Sequence, residues 1–150
     1  MLRMLKFYPE QVVRHWEKIS FAIESALPPI ADSRKTDDRM NGILESILAG
    51  KLEVHVFAAY EDQAPIVYGI TVTAIIQPVD NNRKELLIYS LFASKQLSKD
   101  IIMEGLELFK KYAKGQNCSA ISGYTNIEGL KALIAKVGGS SSFSYVRLEV

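Results

Sequence analysis

The chain has 150 residues, 48% of them hydrophobic and 23% charged, and 18 Lys and Arg against 17 Asp and Glu leave a net charge of +1. This is the composition of one ordinary globular domain spanning residues 1–150. So balanced a charge supplies no field to draw nucleic acid or an anionic membrane, and neither partner is expected.

The N-terminus, MLRMLKFYPEQ, returns to charge too early for a signal peptide or a spanning helix. Tyr8-Pro9-Glu10 marks a helix start, with Pro9 in the first turn. Val12, Trp16, Ile19, Ile23 and Leu27 then recur at steps of three and four, one buried stripe of a single helix that Pro28-Pro29 ends. After the polar stretch ADSRKTDD comes a second helix. Met40, Ile43, Leu44, Ile47 and Leu48 lie on its inner face, and Gly50 is placed as a left-handed cap.

The period then changes to two. LEVHVFAAY (52–60), IVYGITVTAIIQ (66–77) and KELLIYSLF (84–92) read as three strands joined by the short turns EDQAP and PVDNN, an antiparallel meander. A third helix runs from about Lys99 to Lys114. Ser98 caps it, Ile101, Gly105, Leu108, Phe109 and Tyr112 form its inner stripe, and Lys110, Lys111 and Lys114 lie on its solvated side. CSAISGYT (118–125) is a fourth strand, IEGLKALIAKV a short helix ended by Gly138-Gly139, and FSYVRLEV (143–150) a last alternating strand. The third strand, third helix and fourth strand make a βαβ unit over residues 84–125, which requires a parallel pair. The expected fold class is α/β (α+β), a mixed and mostly antiparallel sheet flanked by about four helices.

Cys118 is the only cysteine, so an internal disulfide is impossible. His15 and His55 are the only imidazoles and make an unconvincing zinc site, so no metal is expected. A reducing, cytoplasmic setting follows as the default. Cys118 is expected to fill core, because a nucleophilic thiol needs a base in an electropositive pocket.

This order of elements resembles the GNAT family of N-acetyltransferases over nearly the whole chain, with MLRMLKF as that family's first strand. YTNIEGLKALIAKVGG is similar to the family's closing pattern N-x-x-A-x-x-L-Y-x-x-x-G-F, with Asn126 at its start. The resemblance implies an acetyl-CoA site where the strands at 84–92 and 118–125 splay. Backbone near Leu91 and Phe92 would pair with the pantetheine amides. The pyrophosphate would lie at the start of the third helix, near Gln96, Ser98 and Lys99, with Asn126 at the opposite wall.

Two departures bear on activity. The family's pyrophosphate loop, R/Q-x-x-G-x-G/A, overlays Gln96-Leu97-Ser98-Lys99-Asp100-Ile101, so Lys99 and Ile101 stand where small residues let an N–H reach phosphate. Asp100 adds a negative charge to the first helical turn. The tyrosine that in active members protonates the thiolate would fall at Leu133 or, shifted by one, Ile134. Tyr124 and Tyr89 are the nearest hydroxyls by sequence. Candidate bases are Glu53 and His55, which share one face of a strand by the two-residue period, and Glu85. Each also has a plain structural explanation as a polar residue on a half-solvated strand.

YPEQVVRHWEKI, SALPP, LLIYSLF and LFKKYAK are also similar to small GNAT-like proteins of tailed bacteriophages, a likeness carried here by Trp16, Pro28, Pro29, Tyr89 and Tyr124. Three expectations follow. The first is a non-catalytic GNAT-like protein that needs no cofactor, virion-associated and acting through protein partners in a host cytoplasm or particle. The second is a divergent acetyl-CoA-dependent N-acetyltransferase. The third is a partner-binding module using a sheet edge or the ADSRKTDD stretch.

Overall fold

The computed structural model describes residues 1–30, 34–80 and 82–150. The first three residues of ADSRKTDD and Asn81 of the PVDNN turn lie outside the described residues. Strand β1 spans Arg3–Phe7 and is followed by helices α1 (Pro9–Arg14), α2 (Trp16–Ser25) and α3 (Thr36–Leu48). Strands β2 (Glu53–Glu61), β3 (Ala64–Ile76) and β4 (Lys84–Ala93) form the meander, and α4 (Lys99–Gly115), β5 (Cys118–Gly123) and α5 (Glu128–Lys136) complete the order.

The expected first helix is two. Pro9 opens α1, and the Gln11 side chain accepts from the Tyr8 backbone N–H at 2.9 Å. At His15 the backbone leaves helical geometry (φ −111°, ψ 21°) and α2 begins one residue later. The apolar stripe runs through the break, with Val12, Ile19 and Ile23 buried on both sides of it. Hydrophobic burial thus holds the two segments against one core although the hydrogen-bond ladder is interrupted.

The sheet order is β1-β2-β3-β4-β5, antiparallel except for the parallel β4–β5 pair. The β2–β3 hairpin turns on Asp62 and Gln63, both at positive φ (49° and 66°), the requirement of a two-residue turn that matches strand twist. Gly50 (φ 75°) caps α3 in the left-handed region as expected. Gly69 lets β3 pass close to β4, since a Cβ there would meet the Phe92 carbonyl oxygen at 2.5 Å.

Two cores follow from the two-residue period of the strands. Val54 and Val72 join Val12, Ile19, Ile23, Met40, Ile43 and Ile47 under α1–α3. Phe57 and Leu86 join Leu2, Phe109, Ala113 and Cys118 under α4, where Ile101, Leu108 and Tyr112 also pack. Cys118 is buried, and burial pushes its thiol above the ordinary range, as fits core filling.

One expected strand is missing. FSYVRLEV (143–150) has no partner strand among the described residues; the chain there is exposed and irregular. Alternation makes a segment competent to pair but does not supply an edge to pair with. No described helix is long and apolar enough to cross a membrane.

Candidate functional site

Strands β4 and β5 pair only from Lys84–Ile88 against Cys118–Gly123. Strand β4 continues on β3 as far as Ala93, so from Tyr89 to Ala93 its edge toward β5 has no strand partner among the described residues. The unpaired stretch of β4 forms the notch, and it leads toward the N-terminus of α4. Leu91 is exposed at the notch, and Phe92 turns the other way, its ring edge-on to Phe21 of α2 at 6.1 Å.

The start of α4 is built by its own side chains. Ser98 has extended backbone (φ −71°, ψ 158°), and its hydroxyl accepts from the Ile101 N–H at 3.2 Å. One of the amides that a bound anion would seek is therefore already satisfied. Ile101 buries its side chain against the Phe57–Phe109 core, and Asp100 occupies the first turn. Gln96 and Lys99 are exposed, and Lys95 lies 4.4 Å over the ring of Tyr68. Ser98→Ala should cost about 1 kcal/mol through loss of this cap, measured as a lower denaturant midpoint with an unchanged slope. An unaltered midpoint would show that the cap does not hold the helix start.

At the other wall, Tyr124 follows the last residue of β5 and is 39% exposed, its ring edge-on to Tyr145 at 6.1 Å. Asn126 is exposed, and the neighbouring Thr125 hydroxyl accepts from the Ile127 N–H at 3.1 Å where α5 begins. Leu133 and Ile134 are half-buried on α5 and carry no proton to donate. Glu85 sits near the start of β4, opposite Ala120 in the paired part of the two strands and below the split.

Glu53 and His55 do share a face, and that face lies beneath α4. Glu53 Oε1 accepts from Lys6 Nζ at 3.1 Å, and its Oε2 accepts from the Tyr112 hydroxyl. His55 is 1% exposed, stands edge-on to the Tyr112 ring at 4.8 Å, and has Nε2 3.5 Å from Glu53 Oε2 without hydrogen-bond geometry. Burial raises the Glu53 carboxyl, but the bonds from Tyr112 and Lys6 outweigh it and hold the group below the usual carboxylate range. Burial pushes the His55 imidazole below its ordinary value, against the pull of Glu53, so it is neutral near pH 7 and its contact with Glu53 is not an ion pair. Burial and the Glu53 bond raise the Tyr112 hydroxyl well above the usual phenol range.

Glu53 also borders a cleft of about 240 Å³ with Gly50, Lys51, Thr73, Ala74 and Ile75. Its register partner is Thr73, which in turn pairs with Ile88, so two strand spacings separate Glu53 from the notch along the sheet. Lys6 and Tyr112 are the members of this cluster that single-residue inspection does not find. The signals for them were the β1 segment, whose Lys6 falls opposite His55, and the inner stripe of α4, which carries Tyr112. Among the described residues no group of three or more His, Cys, Asp or Glu gathers as a metal site.

No protein-family model and no curated protein matches the chain. Solved structures do. A possible acetyltransferase from Clostridium difficile 630 is 15% identical, with a TM-score of 0.65 over 100% of this chain and 98% of its own. An aminoglycoside acetyltransferase from an uncultured soil metagenomic sample is 14% identical, with a TM-score of 0.66 over 100% and 99%. A predicted acetyltransferase from Clostridium acetobutylicum, solved with acetyl-CoA, is 13% identical, with a TM-score of 0.63 over 99% and 96%. The likeness shows the GNAT fold.

Proposed function

We propose that the protein is a GNAT-fold domain with a structural or binding role in place of acetyl transfer. The carrying observation is the placement of Glu53 and His55. This carboxylate–imidazole pair lies under α4, away from the notch, with both carboxylate oxygens engaged by Lys6 and Tyr112. A general base must lie within hydrogen-bond reach of the attacking amine, and the bonds from Lys6 and Tyr112 also lower the basicity of this carboxylate. The start of α4 supports the same reading, because the Ser98 cap and Asp100 compete with a diphosphate for the helix N-terminus. A place in a phage particle belongs to this reading and rests on the sequence likeness at Trp16, Pro28, Pro29, Tyr89 and Tyr124. The test is thiol release from acetyl-CoA with a panel of primary amines: peptide α-amines, lysine and an aminoglycoside. Release at the buffer rate with every amine is expected. Amine-dependent release would overturn the reading.

The open edge of β4 favours a second reading, a divergent acetyl-CoA-dependent N-acetyltransferase. There the β4 backbone near Leu91 and Phe92 would hold the pantetheine arm. Gln96, Ser98 and Lys99 would flank the diphosphate, with Asn126 across the notch. Tyr124 would protonate the thiolate, and Glu85 would be the remaining base. Under this reading Tyr124→Phe abolishes amine-dependent thiol release while leaving acetyl-CoA affinity intact.

A further inference from the structure

His55 is closed off from solvent, and among the described residues its Nε2 has no hydrogen-bond partner. A buried polar atom left unpaired in a native fold calls for an explanation. The groups that face it are few. Along β2 the charged neighbour is Glu53, whose Oε2 lies 3.5 Å from Nε2. Across the ladder its register partners are Lys6 on β1 and the uncharged Thr71 on β3. From α4 comes Tyr112, whose ring covers the imidazole at 4.8 Å while its hydroxyl is given to Glu53. Cys118, at the start of β5, acts on Tyr112 and not on the imidazole. An imidazolium at this place would face the Lys6 ammonium as well as the Glu53 carboxylate, out of reach of water.

The neighbours on β1 and β3 are fixed by the ladder, so α4 is the roof that has to lift before water reaches this group. Helix α4 continues into β5 and α5 as one stretch of chain. That stretch is held by the core around Phe57 and Phe109 and by a parallel pairing confined to Lys84–Ile88. Helix α5 buries none of its residues. The core under α1–α3 lies on the other face of the sheet and shares no buried residue with the first. Proteins open in contiguous units of this kind, each with its own free energy. The meander can therefore lose α4 and β5 and still stay closed on α1–α3.

We infer that His55 makes the α4–β5 layer an acid-sensitive unit: protonation of the imidazole releases α4 and β5 from the sheet together, dismantling the notch while the meander and α1–α3 stay folded. Solvent has a route to the pair, because Glu53 borders the cleft of about 240 Å³ beside Gly50 and Thr73. Burial already pushes the imidazole below its ordinary value, so the closed form resists a proton that the open form takes up. The unpaired Nε2 is then the sensor, and the Tyr112–Glu53 bond is the polar anchor that opening breaks. Both walls of the notch move with this unit, since the start of α4 and the end of β5 belong to it. The device is independent of whether the notch binds acyl-CoA.

Amide hydrogen exchange at pH 8 and pH 5.5, corrected for the intrinsic rate, tests this on the wild type and on His55→Gln. The interval lies above the ordinary value of Glu53, 4.5, and below those of Tyr112 and Cys118, 10.0 and 9.0, so within the cluster it reads His55. Amides of α4 and β5 are expected to be less protected than those of β2, β3, α2 and α3 at both values. Their protection is expected to fall at pH 5.5 by up to about tenfold, the ratio for one unit below the ordinary histidine value of 6.5. In His55→Gln that fall disappears. If the variant does not fold, exchange of the carbon-bound C2 hydrogens of the two histidines in the wild type decides: His55 is expected to exchange with the opening of α4, and more slowly than the exposed His15. Equal protection of the α4–β5 unit and the meander overturns the inference, because His55 is then reached only by global unfolding. So does a wild type whose protection does not fall, a fall that persists in His55→Gln, or a His55 ring that exchanges as fast as His15.

Discussion

Leu86→Ala is expected to destabilise the protein by about 3 kcal/mol, within the 2–5 kcal/mol range for large-to-small changes at closed core sites. Leu86 is fully buried on β4, between Ile75 on β3 and Ile121 on β5, and packs with Phe57, Phe109 and Ala113 beneath α4. It ties the meander to the parallel β5, so the cavity would open at the junction of the two halves of the sheet. For a domain of this size the melting temperature should fall by roughly 6–12 °C. A drop of only a degree or two would mean that α4 and β5 collapse onto the gap, and that the notch is not held rigid by this core.

Glu53→Ala carries the second large effect, about 2–3 kcal/mol, because it strands the half-buried Tyr112 hydroxyl and removes the counter-charge of Lys6. Glu53→Gln should cost about 1 kcal/mol, since an amide oxygen still accepts from Tyr112. The cluster also sets an acid limit. Both Glu53 and His55 hold their protons less tightly in the folded chain than in the unfolded one. The unfolded state therefore binds more protons, and stability falls as pH falls. For His55 the stability is present above its unfolded value near 6.5 and is lost below it; for Glu53 the loss begins below 4.5. Tyr112, shifted upward, acts at the other end, with stability present below pH 10 and lost above it. Urea midpoints at pH 8 and pH 5.5 read the His55 contribution, which His55→Gln should remove. Equal wild-type midpoints at the two values would show that the imidazole is not held neutral by the fold.

The sheet was legible where local chemistry and tertiary packing agree. The meander followed from the two-residue alternation of 52–92, the α4 stripe from Ile101 to Tyr112, and the helix ends from Ser98 and Gly50. The break at His15 was not legible, because no Pro, Gly or change of period marks it and the apolar stripe passes straight through. The two-residue period placed Glu53 and His55 on one face, but it cannot say which face, and α4 covers the one they occupy. The hydrogen-bond partners of Glu53 come from 47 and 59 residues away in sequence, beyond the reach of any spacing rule. The tail at 143–150 has the pattern of a strand but pairs with no strand among the described residues, because alternation marks a segment that can pair and not the edge it would take.

The central claim is that the start of α4 has given up its anion site, with Ser98 and Asp100 in the place a diphosphate would take. Thermal unfolding with and without millimolar acetyl-CoA, followed by calorimetric titration, tests it most directly. A ligand at a hundred times its dissociation constant would add about 2.7 kcal/mol, a rise in melting temperature of roughly 5–11 °C for a domain of this length. No rise and no binding heat are expected. A saturable rise of that size, lost in a variant that blocks the notch such as Leu91→Arg, would contradict it.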